Sequence, residues 1–210
     1  MIEAQDLALA RAVQRGEPNA WNVLLRKYQD RLFAVCVRMV RDRDQAADLT
    51  QESMVKIIEG LESYDGRAKL STWMIRITMN VCLTKLRSEK LRRHASLDLQ
   101  DARTGLTAAE QLQDGAGFGR VSRELDAEGR VEEDEQRALL SAALVRLDPE
   151  PRAILVLRDV RGLDYDQIAE VLGVPVGTVK SRLFRARVAL REMIEALEGG
   201  RPAHSSEDEV

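Results

Sequence analysis

LDYDQIAEVLGVPVGTVKSRLFRARVALRE, residues Leu163 to Glu192, is the stretch on which the reading of this chain turns. Asp164-x-x-Gln167 has the spacing of a capping box: the carboxylate takes the backbone N–H three residues on and the Gln side chain reaches back, so a helix starts there. Ile168 and Ala169 continue it, and Gly173 ends it by taking the left-handed conformation a tight turn requires. A further helix runs from about Pro175 to Leu197, with proline at its first position. In such a helix-turn-helix the small Ala169 lets the two helices approach, and Val179 plugs the second onto the first. That second helix carries Lys180, Arg182, Arg185, Arg187 and Arg191, with no acid between Val174 and Arg191. A basic run alone is more often a solvated helix face. Joined to the turn, it points to DNA, with the N-terminal end of the helix offered to the major groove.

Working outward, the hydrophobic spacing is helical almost everywhere, which predicts an all-α protein. Upstream, Glu132 to Leu147 and a helix opened by Asp148-Pro149 and running to Arg161 complete a C-terminal helical domain, residues 132–197. Before it, from Ser96 to Gln136, periodicity fades, glycines accumulate and 11 acids face 4 arginines; residues 96–131 are read as a flexible acidic linker. Residues 1–95 form an N-terminal helical domain. A helix from about Ala4 to Arg15 stops at Gly16, and Trp21, Leu24, Leu25, Tyr28, Leu32, Val35, Cys36 and Met39 mark a long amphipathic helix over Asn19 to Val40. A third runs from about Asp44 to Leu61, with Leu49, Val55, Ile58 and Leu61 expected inward. Ser63 to Leu70, with Asp65-Gly66, is a loop, and Ser71 or Thr72 caps a helix from Trp73 to about Arg93. Residues 198–210 are an acidic tail, expected to be disordered.

Charge is unevenly distributed. The whole chain carries −3, yet the stretch from Ser96 to Gln136 carries −7 and that from Glu198 onward −3, leaving +7 on the rest. An acidic average thus hides basic surfaces suited to nucleic acid. A second basic cluster, Arg76, Lys85, Arg87, Lys90, Arg92 and Arg93, follows the Ser63 to Leu70 loop, where Tyr64, Arg67 and Lys69 are expected exposed and suited to gripping unstacked bases and phosphate. Trp73 at the start of that helix is read as core. The longest apolar run, Leu32 to Val37, is six residues, so no membrane insertion is expected, and the charged N-terminus does not read as a signal peptide; the expected location is the cytoplasm. Cys36 and Cys82 fall in apolar helical patterns without metal-ligand spacing and read as buried thiols.

DQAADLTQESMVKII (Asp44 to Ile58), LSTWMIRITMNVCLTKLR (Leu70 to Arg87) and the Leu163 to Glu192 stretch together resemble regions 2 and 4 of extracytoplasmic-function (group IV) sigma factors of the bacterial sigma-70 family. The resemblance covers nearly all the chain outside linker and tail. It implies a dissociable RNA polymerase subunit that directs core polymerase to promoters. Asp48, Gln51 and Glu52 match the segment that docks on the clamp of the β′ subunit. Asn80 and the Ser63 to Leu70 loop match the part that reads the −10 element and holds a flipped base, so Tyr64, Arg67, Lys69, Arg76 and Asn80 are the −10 candidates. Thr178, Lys180, Ser181, Arg182, Phe184 and Arg185 match the −35 reader. Leu147, Ile154, Leu157 and Val160 lie where the family engages the β flap, although most of that stripe must also pack the domain. No dense aromatic run precedes Trp73, unlike primary sigma factors, which implies that melting depends on a near-ideal promoter. Core polymerase (β and β′ subunits), promoter DNA and an anti-sigma factor are the implied partners.

The linker adds a physical argument. A flexible chain of about 40 residues has a root-mean-square span of roughly 35 Å, whereas promoter elements about 25 base pairs apart are about 80 Å apart. A large scaffold is therefore needed to hold the halves at that separation. The competing reading, a stand-alone helix-turn-helix regulator, predicts an N-terminal receiver or ligand domain, of which the N-terminal half has neither βα alternation nor an acidic pocket. An enzyme would have to use Cys36 or Cys82 with His94, and no phosphate loop or carboxylate pair supports it. No catalytic residue, metal or cofactor is expected.

Overall fold

The computed structural model describes residues 2–40, 42–101 and 127–199, with side chains over 4–40, 42–92 and 135–199. Among these residues the chain is all helix: α1 (Ile2–Gln14), α2 (Ala20–Met39), α3 (Arg43–Gly60), a 3-10 turn (Leu61–Ser63), α4 (Leu70–Asp101), α5 (Ala127–Arg146), α6 (Pro149–Leu155), a π turn (Val156–Val160), α7 (Tyr165–Leu172) and α8 (Val176–Gly199). The expected linker shrinks at both ends. α4 continues eight residues past Arg93 because Ser-Leu-Asp-Leu-Gln-Asp adds no breaker and elongating an existing helix costs little, and α5 begins five residues before Glu132. Residues 102–126 of the linker and 200–210 of the tail lie outside the described part.

Local signals set the helix ends. Gly16 stands at φ 70° after α1. Asp42 caps α3, its carboxylate accepting from the Asp44 and Gln45 backbone N–H groups. At α7 the Asp164–Gln167 capping box forms in both directions, and Gly173 closes the helix at φ 65° with its N–H on the Ala169 carbonyl. Pro175 is one position earlier than expected: it precedes α8, and its carbonyl accepts from Thr178 and Val179. α4 begins at Leu70, three residues ahead of Trp73, so neither Ser71 nor Thr72 is its cap.

Two apolar clusters hold the chain. One lies under α1 and the 61–70 segment, where Ala10, Leu24, Tyr28, Leu32, Ile57, Leu61, Tyr64 and Met74 meet. The other joins the two halves: Val35, Cys36, Met39, Ile75, Met79, Cys82 and Leu83 from the N-terminal helices share it with Leu147, Ile154, Leu157, Ile168, Val179 and Leu183. α4 packs against α6 and α7, and α2 against α5 and α6. The halves are therefore packed together here, not held apart. Polar bonds cross the same interface. Arg87 pairs with Glu150 at 3.0 Å and Lys90 with Asp148 at 2.7 Å. Asp148 leads into α6, but its carboxylate makes no cap bond and is committed to Lys90. Arg152 is buried, and its guanidinium donates to the carbonyl of Met39 at the end of α2 and to those of Val145 and Leu147 at the end of α5. Helix C-termini carry partial negative charge, so a cation where two of them converge is electrostatically favoured.

Candidate nucleic-acid and polymerase interface

On α3, Ala46, Leu49, Thr50, Ser53 and Ile57 are buried. The opposite face presents Asp48, Gln51 and Glu52 to solvent, as the sequence suggested, with Lys56 3.7 Å from Glu52. The expected inward stripe is corrected at two positions: Val55 is 52% and Ile58 40% exposed. Both join the acidic face, giving it an apolar centre of the kind protein interfaces use. Sequence reasoning missed them because α3 carries apolar residues nearly all round, at 49, 54, 55, 57 and 58, and a 3.6-residue period cannot then choose a face.

The segment after α3 departs from expectation at one residue. Tyr64, expected exposed, is 5% exposed. Its ring lies against Trp73, centroids 5.2 Å apart, and its hydroxyl donates to the Ala68 carbonyl at 2.6 Å. Burial pushes its phenol up from the usual value. Trp73 is half-buried and packs against the core, a structural role as read: Gly60 lies so close beneath it that an added Cβ would meet the indole at 3.3 Å. Arg67 and Lys69 are exposed, and the Arg67 guanidinium sits 3.2 Å from Asp65. On α4, Arg76 and Asn80 are exposed one turn apart on the same face. The rest of the second basic cluster is divided. Arg87 and Lys90 are committed to the C-terminal half, and Lys85 lies 3.7 Å from Glu89.

The helix-turn-helix has the packing its sequence implied. Ile168, Val171, Val179, Leu183 and Ala186 are buried, and the Val174 N–H bonds the Ala169 carbonyl across the turn. That burial turns the other face of α8 outward. Lys180, Ser181 and Arg185 are exposed, Thr178 and Arg182 half-buried, and Phe184 is 71% exposed. A large aromatic left in water beside arginines is suited to contacting a thymine methyl. The Ser181 hydroxyl donates to the Thr178 carbonyl, and the Tyr165 ring lies under both Arg158 and Lys180 at 5.0 and 5.8 Å. Arg187 is different: it pairs with Asp159 at 2.6 Å, which raises its pKa and ties α8 to the π turn. Of the stripe that the resemblance placed at the β flap, Leu147, Ile154 and Leu157 are buried in packing and Val160 is 42% exposed.

Cys36 and Cys82 are buried free thiols, as expected, 3.7 Å apart between α2 and α4. Donation to Cys36 and burial push the Cys82 thiol up, so it stays protonated. Among the described residues no cluster has metal-ligand composition, and no helix is long and apolar enough to cross a membrane. The side chains of His94 and His204 lie outside the described part.

Comparisons with known proteins agree with this geometry. The family model for sigma-70 region 2 matches residues 24–92, and that for sigma-70 region 4 matches residues 137–190. The chain is 32% identical to the RNA polymerase sigma-H factor of Pseudomonas aeruginosa over 197 residues, covering 94% of this chain and 97% of that protein. It is 32% identical to the ECF RNA polymerase sigma-E factor of Escherichia coli over 192 residues, 91% and 95% of the two chains. Among solved structures, the sigma factor RpoE of Bartonella quintana, in complex with the anti-sigma factor NepR, has a similar fold at TM-score 0.60 and 22% identity, covering 87% of this chain and 99% of that one. CnrH, in complex with the cytosolic domain of CnrY, matches at TM-score 0.59 and 20% identity over 91% and 97%. With both sigma-70 regions matched in order and near full-length relatives above 30% identity, the chain belongs to the sigma-70 family, among its extracytoplasmic-function sigma factors.

Proposed function

We infer that this chain is an initiation subunit of RNA polymerase: it binds the core enzyme and directs it to promoters carrying its −10 and −35 elements. The observation that carries this reading is α8, whose buried Val179, Leu183 and Ala186 anchor it while Lys180, Ser181, Phe184 and Arg185 stand free of the core as a groove-reading face. Arg182 and Thr178 flank that face. Asp48, Gln51 and Glu52, with Val55 and Ile58 between and below them, form the surface for the β′ clamp. Arg67, Lys69, Arg76 and Asn80 contact the −10 element, with Tyr64 supporting the loop from within. Region 2 functions lie in residues 1–95 and region 4 functions in 132–197, with 96–131 bridging them.

Among the described residues none is assigned a catalytic role; polymerase supplies the chemistry, in the cytoplasm. One related fold is seen with an anti-sigma factor, and a protein of that class is proposed to hold this chain inactive. The packed halves bear on how it acts. α4 cannot touch α6 and α7 while the two readers sit on elements about 80 Å apart, so promoter engagement requires the shared interface to open. The stand-alone regulator is disfavoured because the similarity to the sigma factors runs through both halves. The test is to add purified protein to core polymerase and map transcription starts on genomic DNA. New starts sharing two upstream elements are expected; none would refute the reading.

A further inference from the structure

We propose that α1 is the template for the −10-reading loop and that Gln14 is its positioning residue. This rests on the assignment of that loop to the −10 element. α1 precedes the matched region 2, residues 24–92, and none of its residues figures among the contacts assigned above.

The geometry is specific. The Gln14 side-chain amide donates to the Leu61 carbonyl at 2.8 Å and the Tyr64 carbonyl at 2.9 Å, with the Glu62 carbonyl at 3.5 Å. These carbonyls belong to the 3-10 turn at the end of α3 and to the first residue after it, where the helical ladder ends; the Leu61 carbonyl accepts from the Tyr64 N–H at 3.1 Å as well as from Gln14. A primary amide has two N–H donors and so can satisfy two such acceptors from one point. Its orientation is determined by Arg11, whose guanidinium donates to Gln14 Oε1 at 2.9 Å. With the oxygen engaged there, the NH2 must face the loop. The same guanidinium reaches the Asp65 carbonyl at 3.5 Å, and a Cβ added to Gly66 would meet Leu7 Cδ1 at 3.0 Å. Gly66 itself is at φ 82°, a conformation that suits glycine.

Residues 64–69 have no helical ladder of their own. Within the loop, the Tyr64 hydroxyl bond to Ala68 and the Arg67 N–H bond to Asp65 at 2.9 Å close two small rings. What joins those rings to the body of the protein is Tyr64 against Trp73 on one side and the Leu7–Arg11–Gln14 face of α1 on the other. A loop that must receive an unstacked base gains discrimination from being held in one shape before DNA arrives. Gln14 touches no DNA in this account. It acts through the carbonyls that set where Arg67 and Lys69 begin.

The test uses holoenzyme reconstituted with the full chain and a promoter recovered by start-site mapping. Gln14→Met keeps side-chain length and helix propensity but removes both donors. Gln14→Glu keeps the oxygen on Arg11 and turns a second oxygen toward the carbonyls. Binding to fork-junction DNA is measured with each −10 base substituted in turn, and base capture is followed by 2-aminopurine fluorescence within the element. Core affinity, affinity for upstream-element duplex and thermal midpoint are measured alongside. Gln14→Met is expected to lower the preference for the correct −10 sequence about tenfold and to weaken the fluorescence rise, with Gln14→Glu more severe. Core and upstream affinities should stay within about twofold. An Arg67→Ala/Asn80→Ala double variant reports on the underlying assignment. If it loses −10 discrimination while both Gln14 variants keep theirs, the positioning role is overturned and the loop assignment stands. If neither the double variant nor the Gln14 variants affect the −10 element, the assignment falls and the proposal with it. Equal losses of core, upstream and downstream binding in the Gln14 variants would mark a general folding role and overturn positioning.

Discussion

Replacing Arg152 by Met removes the guanidinium while keeping an unbranched stem of similar reach. Three carbonyls lose a charged donor: Met39 and Leu147 at buried positions and Val145 where water can partly replace it. An unsatisfied buried carbonyl costs about 1 to 3 kcal/mol, and taking about 1.5 for each of the two buried ones gives roughly 3 kcal/mol. The guanidinium's own desolvation is relieved in the variant, which keeps the net below the roughly 5 kcal/mol seen when buried ion pairs are broken. For a chain of this size, with a urea slope of about 2 to 3 kcal/mol per molar, the midpoint should fall by roughly 1 M. Trp21 and Trp73 are both in the N-terminal half, so fluorescence follows that half alone while far-ultraviolet circular dichroism follows both. In the native chain the two transitions should coincide, because the halves share one core. In Arg152→Met they should separate, the fluorescence midpoint moving less than the dichroism midpoint. A midpoint shift below about 0.3 M, or two transitions that still superimpose after a large shift, would refute the view that Arg152 joins the ends of α2 and α5.

Substituting Asp48, Gln51 and Glu52 together by Ala should abolish core polymerase binding in a titration with helix content unchanged, since all three are exposed; a separate Val55→Ser/Ile58→Ser variant should have the same effect without a charge change. Arg182→Ala and Arg185→Ala should weaken holoenzyme binding to the upstream element by about 1 to 3 kcal/mol where the Arg pairs with guanine, or lower the salt slope by about 1 where it contacts phosphate. A library of upstream variants at two salt concentrations separates these, and Arg187→Ala, tied to Asp159, should leave sequence preference unchanged. Cys36 and Cys82 should resist iodoacetamide in the native chain and both react in denaturant, as mass spectrometry would record; rapid native labelling with loss of initiation would instead revive a chemical role for the thiols.

Much of the site was legible because the signals are local. The capping box at Asp164, the glycine turn at 173 and the acid-free face of α8 each depend on residues within a few positions of one another, and the structure forms all three. The exposed acidic face of α3 was legible for the same reason. Pro175 was misplaced by one residue because proline is tolerated both at the cap and in the first turn. The stretch from Ser96 was read as linker because acids and fading periodicity weaken a helix by themselves, whereas α4 enters that stretch already nucleated.

Other features depended on which surfaces meet, and no spacing rule contains that. Val55 and Ile58 are apolar and exposed, while Thr50 and Ser53 are polar and buried, because α2 and α4 lie against the other side of α3 and the two hydroxyls bond back to Ala46 and Leu49. Tyr64 turns inward because Trp73 and the Ala68 carbonyl provide a ring and an acceptor. Arg87 and Lys90 read in sequence as part of a basic cluster suited to nucleic acid, and Arg152 carries no local signal, yet all three bind across the two halves because helix ends and carboxylates far away in the chain are brought to them. The sequence by itself determined the helices, their ends and the faces they could offer, since propensity, capping and glycine geometry act over a few residues. The tertiary structure alone decided which of those faces stay in water and which cations serve packing, since burial and charge pairing depend on distances between segments that the chain brings together only on folding.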